Sequence, residues 1–266
     1  ESTSVSSRPE ICVNYEITKF GADAGPGWPD SVQEGWEVDV RQKSMKTNSL
    51  NVIRYFIDRE WYSPYPVSYN YINNMLTNAY NNDMKVIMVF LHHKQYTETE
   101  YKDLVKNVLD NAQVEGFVNN GTIIAVELGN EEEDHWYNNY PDPKPLYWFG
   151  DYDDGIDFAA HYVAARKEVN DNWPDLEIIS GGSVEKHDWV TKDASNPSGS
   201  VKEFVAGFID GVTSDPDGGF VALPDTFSFH GYSGKWNPES GRREDEYWVD
   251  RLGQFSDICH SRDWFP

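Results

Sequence analysis

The stretch TIIAVELGNEEEDHW, Thr122 to Trp136, sets a run of β-forming apolar residues directly against Gly-Asn, three glutamates and an aromatic. A buried strand does not tolerate so much negative charge at its end unless the charge is paired or used. The run therefore reads as a strand whose C-terminal end delivers a carboxylate to a reaction.

Working outward, the same pattern recurs. LNVIRYFID (Leu50 to Asp58) and KVIMVFLHH (Lys85 to His93) precede it as apolar runs ending in polar or ionisable residues, and ICVNYEI (Ile11 to Ile17) is the first strand candidate. LEIISGG (Leu176 to Gly182) and DTFSFHGYSG (Asp225 to Gly234) follow it.

Helical spacing fills the gaps. A short helix around Val38 to Lys46 precedes the second strand, and Ile72, Met75, Leu76 and Ala79 align ahead of the third. Thr97 and Glu100 have the form of a capping box, with Tyr101, Leu104, Val105 and Val108 on one face. Phe158, Tyr162, Ala165 and Val169 mark the next helix, closed by Pro174. Val201, Phe204, Val205 and Phe208 mark another, and Trp248, Leu252, Phe255 and Cys259 the last, running to about Ser261.

Strict alternation of strand and helix predicts an α/β fold, a parallel sheet covered by helices. No linker, repeat or low-complexity segment divides the chain, so residues 1–266 are expected to form a single domain. No Gly-x-Gly-x-x-Gly or Gly-x4-Gly-Lys follows a strand, which removes the main support for a nucleotide-binding open sheet. Polar residues gather instead at the strand ends: Arg54 and Asp58, His92 and His93, Asn130 and Glu131, His230 and Tyr232. A barrel directs all of these to one site.

Composition narrows the function. The net charge of -23 argues against a nucleic-acid partner, which needs concentrated Lys and Arg. No run approaches the roughly 18 consecutive apolar residues of a membrane helix, so no membrane partner is expected. Aromatic residues make up 15% of the chain, many in expected loops, where flat amphipathic rings suit stacking on sugars. Cys12 and Cys259 suggest two free thiols rather than a disulfide framework, and no Cys/His spacing suggests a metal. DYDDGID (Asp151 to Asp157) looks like a calcium loop but lacks the alternating acidic spacing, so neither metal nor cofactor is expected. The acidic composition and the start without Met or an apolar signal fit a mature secreted, extracellular protein.

NVIRYF, VIMVFLHH, AVELGNE and FSFHGY, in that order, resemble the motifs of the large clan of retaining glycoside hydrolases built on the (β/α)8 TIM barrel. The match spans Ile11 to Tyr232 in strand order. The resemblance implies Glu131 as catalytic acid/base, with Asn130 binding a sugar hydroxyl beside the bond to be cut. Arg54 matches the second-strand arginine, His92 the third-strand histidine, and His230 and Tyr232 the sixth-strand pair that binds sugar and orients the nucleophile. Trp136 and Trp236 are candidates for sugar stacking.

The physical case for Glu131 is that protonating a glycosidic oxygen near neutral pH needs a carboxyl of raised pKa, which partial burial and a neighbouring carboxylate supply. Glu127 lies four residues deeper on the strand, and Glu132 and Glu133 fall on the departing loop. Arg54 inside a barrel needs an anionic partner, either a catalytic carboxylate or, in a purely structural role, Asp58 or Glu16.

Only six βα units are evident, and the clan's seventh-strand nucleophile glutamate would fall beyond Pro266. The expectation is an incomplete barrel, completed by a C-terminal segment or a second chain. The implied activity is retaining hydrolysis of a β-linked poly- or oligosaccharide. A non-catalytic carbohydrate-binding or scaffold protein on a truncated barrel is the alternative. A Schiff-base lyase or aldolase would need a strand-end lysine, and only Lys94 and Lys186 come near.

Overall fold

Among the described residues six parallel strands lie side by side in the order in which the chain makes them, β1-β2-β3-β4-β5-β6. They are β1 (Gly21–Asp23), β2 (Val52–Ile57), β3 (Lys85–Phe90), β4 (Ile123–Asn130), β5 (Glu177–Val184) and β6 (Phe229–His230). The computed structural model describes residues 21–23, 42–47, 49–57, 69–92, 96–130, 152–184, 201–230, 236–237, 242–243, 256–258 and 260–262.

The order decides between the two ways of covering a parallel sheet. Right-handed crossovers between successive neighbours, never reversing direction, put every helix on the same face. A doubly wound sheet reverses its order and covers both faces. This is the TIM-barrel winding, and a single core cluster joins the helices to one face of the sheet through Ile53, Tyr55, Val86, Met88, Val126, Leu128 and Ile178.

Those helices are α1 (Tyr69–Asn81), α2 (Glu98–Leu109), α3 (Ala112–Asn119), α4 (Tyr152–Asn172) and α5 (Val201–Ser214). Thr97 caps α2 by the expected box: its side chain accepts from the Glu100 amide at 3.2 Å while the Glu100 carboxylate accepts from the Thr97 amide at 2.9 Å. Helix α3 was not expected. Asn111 starts it by accepting from the Gln113 and Val114 amides, so one helical segment of the sequence is in fact two.

Helices α4 and α5 approach at backbone distance because glycines line the contact. A methyl at Gly207 would come within 1.9 Å of the Tyr152 carbonyl oxygen, and one at Gly155 within 2.1 Å of that of Phe204. The acidic DYDDGID segment supplies the start of α4, from Tyr152 onward, rather than a cation-binding loop.

The first strand candidate, Ile11 to Ile17, lies outside the described residues, and the described edge strand is Gly21–Asp23, paired with Val52 to Arg54. Past β6, β7 (Trp236–Asn237) and β8 (Arg242–Arg243) form a short antiparallel pair that periodicity could not reveal. Among the described residues no helix is long and apolar enough to cross a membrane.

Candidate functional site at the strand ends

Alternation along β2 sends Ile53, Tyr55 and Ile57 into the helix-facing core, and hence Arg54 and Phe56 to the opposite face. The same rule on β4 sends Val126 and Leu128 to the helices and Glu127 to the face of Arg54. Register places Arg54 beside Ile87 and Glu127 beside Val89, with β3 between them. The arginine reaches across that intervening strand.

There it forms a forked pair. Nε of Arg54 donates to Oε2 of Glu127 at 2.8 Å and Nη2 to Oε1 at 2.7 Å, while the guanidinium lies 5.1 Å from the Phe56 ring centroid. Glu127 is 1% exposed and Arg54 19%, so the pair is largely removed from water. A guanidinium offers two parallel donors to a carboxylate, a geometry lysine cannot copy.

Nη2 of Arg54 also donates to Oδ1 of Asn130 at 3.1 Å. Simple alternation would give Asn130 the parity of Leu128, facing the helices. Gly129 removes that constraint: its φ of +99° breaks the alternation and brings Asn130 back to the face of Glu127. The break is possible beside β5 because Gly181 lies opposite, where a methyl would meet the Gly129 backbone at 3.0 Å. Two glycines on adjacent strands thus set the last side chain of β4.

Arg54 and Asn130 are therefore brought together, with Glu127 as the carboxylate between them. Glu127 entered the sequence reading only as a weaker acid/base candidate; its parity opposite Val126 and Leu128 was the signal that marked it as Arg54's partner. Asp58 and Glu16, the other partners considered, lie outside the described residues.

His92, expected to touch sugar, is 1% exposed, and its Nε2 lies 3.1 Å from Nδ1 of His161 on α4. It continues the parity of Val86, Met88 and Phe90 towards the helices, and a sugar contact would require that enclosure to open. His161 was not singled out in the sequence, although it adjoins the Phe158 and Tyr162 stripe. Burial and the nearby charge of His92 pull the His161 ring down to about 4.

His230 ends β6, which pairs with Ser183 and Val184 of β5, so it takes its place at the same end of the sheet as Asn130. Trp236 pairs with Arg243 in the small hairpin. Glu131, Trp136, Tyr232, Lys94, Lys186 and both cysteines lie outside the described residues. Among the described residues no group of three or more His, Cys, Asp or Glu side chains is arranged to hold a metal.

The fold is similar to that of TIM-barrel glycoside hydrolases of known structure. The endo-1,4-β-mannanase of Rhizomucor miehei superposes on 90% of this chain, and on 73% of its own, with a TM-score of 0.54 and 14% identity. The β-1,4-D-mannanase of Cryptopygus antarcticus matches 82% of this chain and 67% of its own, with a TM-score of 0.50 and 13% identity. The family 17 β-1,3-glucanosyltransferase of Rhizomucor miehei matches 94% and 69%, with a TM-score of 0.51 and 11% identity. No protein-family model matches the sequence, and no match was found among curated proteins.

Proposed function

We propose that the protein is a glycosidase that hydrolyses β-linked poly- or oligosaccharide by retaining double displacement, outside the cell and without metal or cofactor. The observation that carries the proposal is the Arg54–Glu127–Asn130 network on the sheet face away from the helices, ending at the last residue of β4. It immediately precedes Glu131. The likeness in fold to two mannanases and a β-1,3-glucanosyltransferase supports the substrate class, although fold alone does not set chemistry.

In this account Glu131 protonates the departing glycosidic oxygen while a second carboxylate attacks the anomeric carbon, forming a glycosyl ester. Glu131 then takes a proton from water, which attacks the same carbon and releases the sugar with its configuration kept. The two carboxyls must stand about 5–5.5 Å apart. The nucleophile in this account is a second glutamate, facing Glu131 across the scissile bond.

Asn130, anchored by Arg54, offers its amide to a sugar hydroxyl beside the scissile bond. His230 and Tyr232 bind the sugar from the sixth strand, and Trp136 and Trp236 stack against it. His92 lies behind this face, bonded to His161.

The test follows β-1,4-linked manno- and gluco-oligosaccharides by proton NMR with the whole protein. A β-anomeric product appearing before mutarotation supports retaining hydrolysis. Binding without any product, unchanged in Glu131→Gln, replaces it with a carbohydrate-binding role.

A further inference from the structure

Behind the end of β3, two imidazoles share one hydrogen bond inside an aromatic enclosure. The rings of His92 and His161 stand at 82° with centroids 4.7 Å apart. Tyr101 meets the His92 ring edge-on at 4.6 Å, Phe158 at 5.3 Å and Tyr96 at 5.9 Å. Two ring nitrogens 3.1 Å apart are bonded only if one carries a proton and the other a lone pair. A neutral pair satisfies this. A doubly charged pair does not, because both facing nitrogens then carry protons and two like charges meet where water screens them poorly.

We propose that the His92–His161 pair is a pH-sensitive latch, which holds α4 against the end of β3 while neutral and releases it when both rings are protonated. The two elements it joins border the end of β4: β3 pairs with that strand, and α4 is the first helix after it among the described residues. Loosening the latch therefore acts on the elements beside the Arg54–Asn130 end of the sheet.

The neighbouring ionisable groups come from each packed element. Tyr96 and Tyr101 face the pair from the α2 side, with the Tyr101 hydroxyl donating to the Phe90 carbonyl at 2.9 Å. On α4, buried Asp154 lies about two turns before His161, and Glu168 about two turns after it, bonded to Lys106 of α2 at 3.0 Å. Helix α5 presents Phe204 and Phe208 to Phe158, and β4 directs Glu127 to Arg54 on the other face of the sheet.

The low value of His161, about 4 against 6.5 when free, fixes the direction of the effect. The folded ring resists protonation that the unfolded ring accepts. Its contribution to stability is therefore complete above pH 6.5 and is lost as pH falls from there towards 4.

The experiment compares thermal unfolding of the whole protein from pH 8 to 4 with that of His161→Phe, which keeps an aromatic ring but removes the bridge and the titration. His260→Gln, at an exposed histidine bonded to Ser256, is the control. Between pH 7 and 5 the wild type and the control should lose about 4 °C more in Tm than His161→Phe. Parallel curves for all three overturn the latch. A second readout needs no variant: in nitrogen-15 histidine spectra of the wild type, His161 should remain neutral at pH 5, and titration near 6.5 overturns the proposal.

Discussion

Arg54 and Glu127 are held together as a forked ion pair across an intervening strand, with N to O distances of 2.8 and 2.7 Å. The pair lies on the face of the sheet turned away from the helices, where a purely hydrophobic core would otherwise serve. It holds Asn130, the last residue of β4, through a third hydrogen bond of 3.1 Å. The ion pair thereby links strand packing to the residue that introduces Glu131.

Removing one member should be worse than removing both. Glu127→Gln removes the forked carboxylate from a guanidinium only 19% exposed, and should cost about 3 kcal/mol in urea unfolding. The double replacement Arg54→Met with Glu127→Leu should recover part of that loss, since both charges of the pair are removed together. A double variant less stable than Glu127→Gln would contradict this account of the pair.

The same substitution should act oppositely at two helical glycines, one in the α4–α5 contact and one on α3. Gly207→Ala drives a methyl to within 1.9 Å of a backbone oxygen and should cost about 3 kcal/mol or prevent folding. Gly116→Ala on α3 meets nothing within 4 Å and gains helix propensity, so it should stabilise by about 0.5–1 kcal/mol. Chemical denaturation of the two variants beside the wild type decides both signs.

Strands β2 to β6 and most of the described helices were legible as apolar runs and helical spacings, whereas the three-residue β1 was not. Tyr101, Leu104, Val105 and Val108 keep helical spacing, and all four are buried in α2. The split between α2 and α3 was less visible because Asn111 interrupts a continuous polar-apolar pattern without any proline or glycine. At the site, the strand-end residues could be found from sequence, but not how they turn. Asn130 needed the positive φ of Gly129 to join Arg54, and a backbone angle leaves no trace in hydrophobic periodicity. The His92 and His161 contact joins residues 69 positions apart, which no local pattern encodes.

The α2 cap gives a small, well-defined test of the local rules. Thr97→Ala removes the acceptor for the Glu100 amide and the hydroxyl that donates to the Glu100 carboxylate at 3.0 Å, and should lower stability by about 1 kcal/mol. Thr97→Ser retains the oxygen and should lose much less. Equal losses in the two variants would assign the effect to packing of the threonine methyl instead.

The most direct measurement is kcat/KM for a β-1,4-linked oligosaccharide with the whole protein, comparing wild type with Glu131→Gln. The account predicts a fall of at least about 100-fold, as expected for loss of a general acid/base, with oligosaccharide binding retained by calorimetry. Equal turnover by the two proteins would contradict the role of Glu131, and binding without turnover by either would contradict glycoside hydrolysis itself.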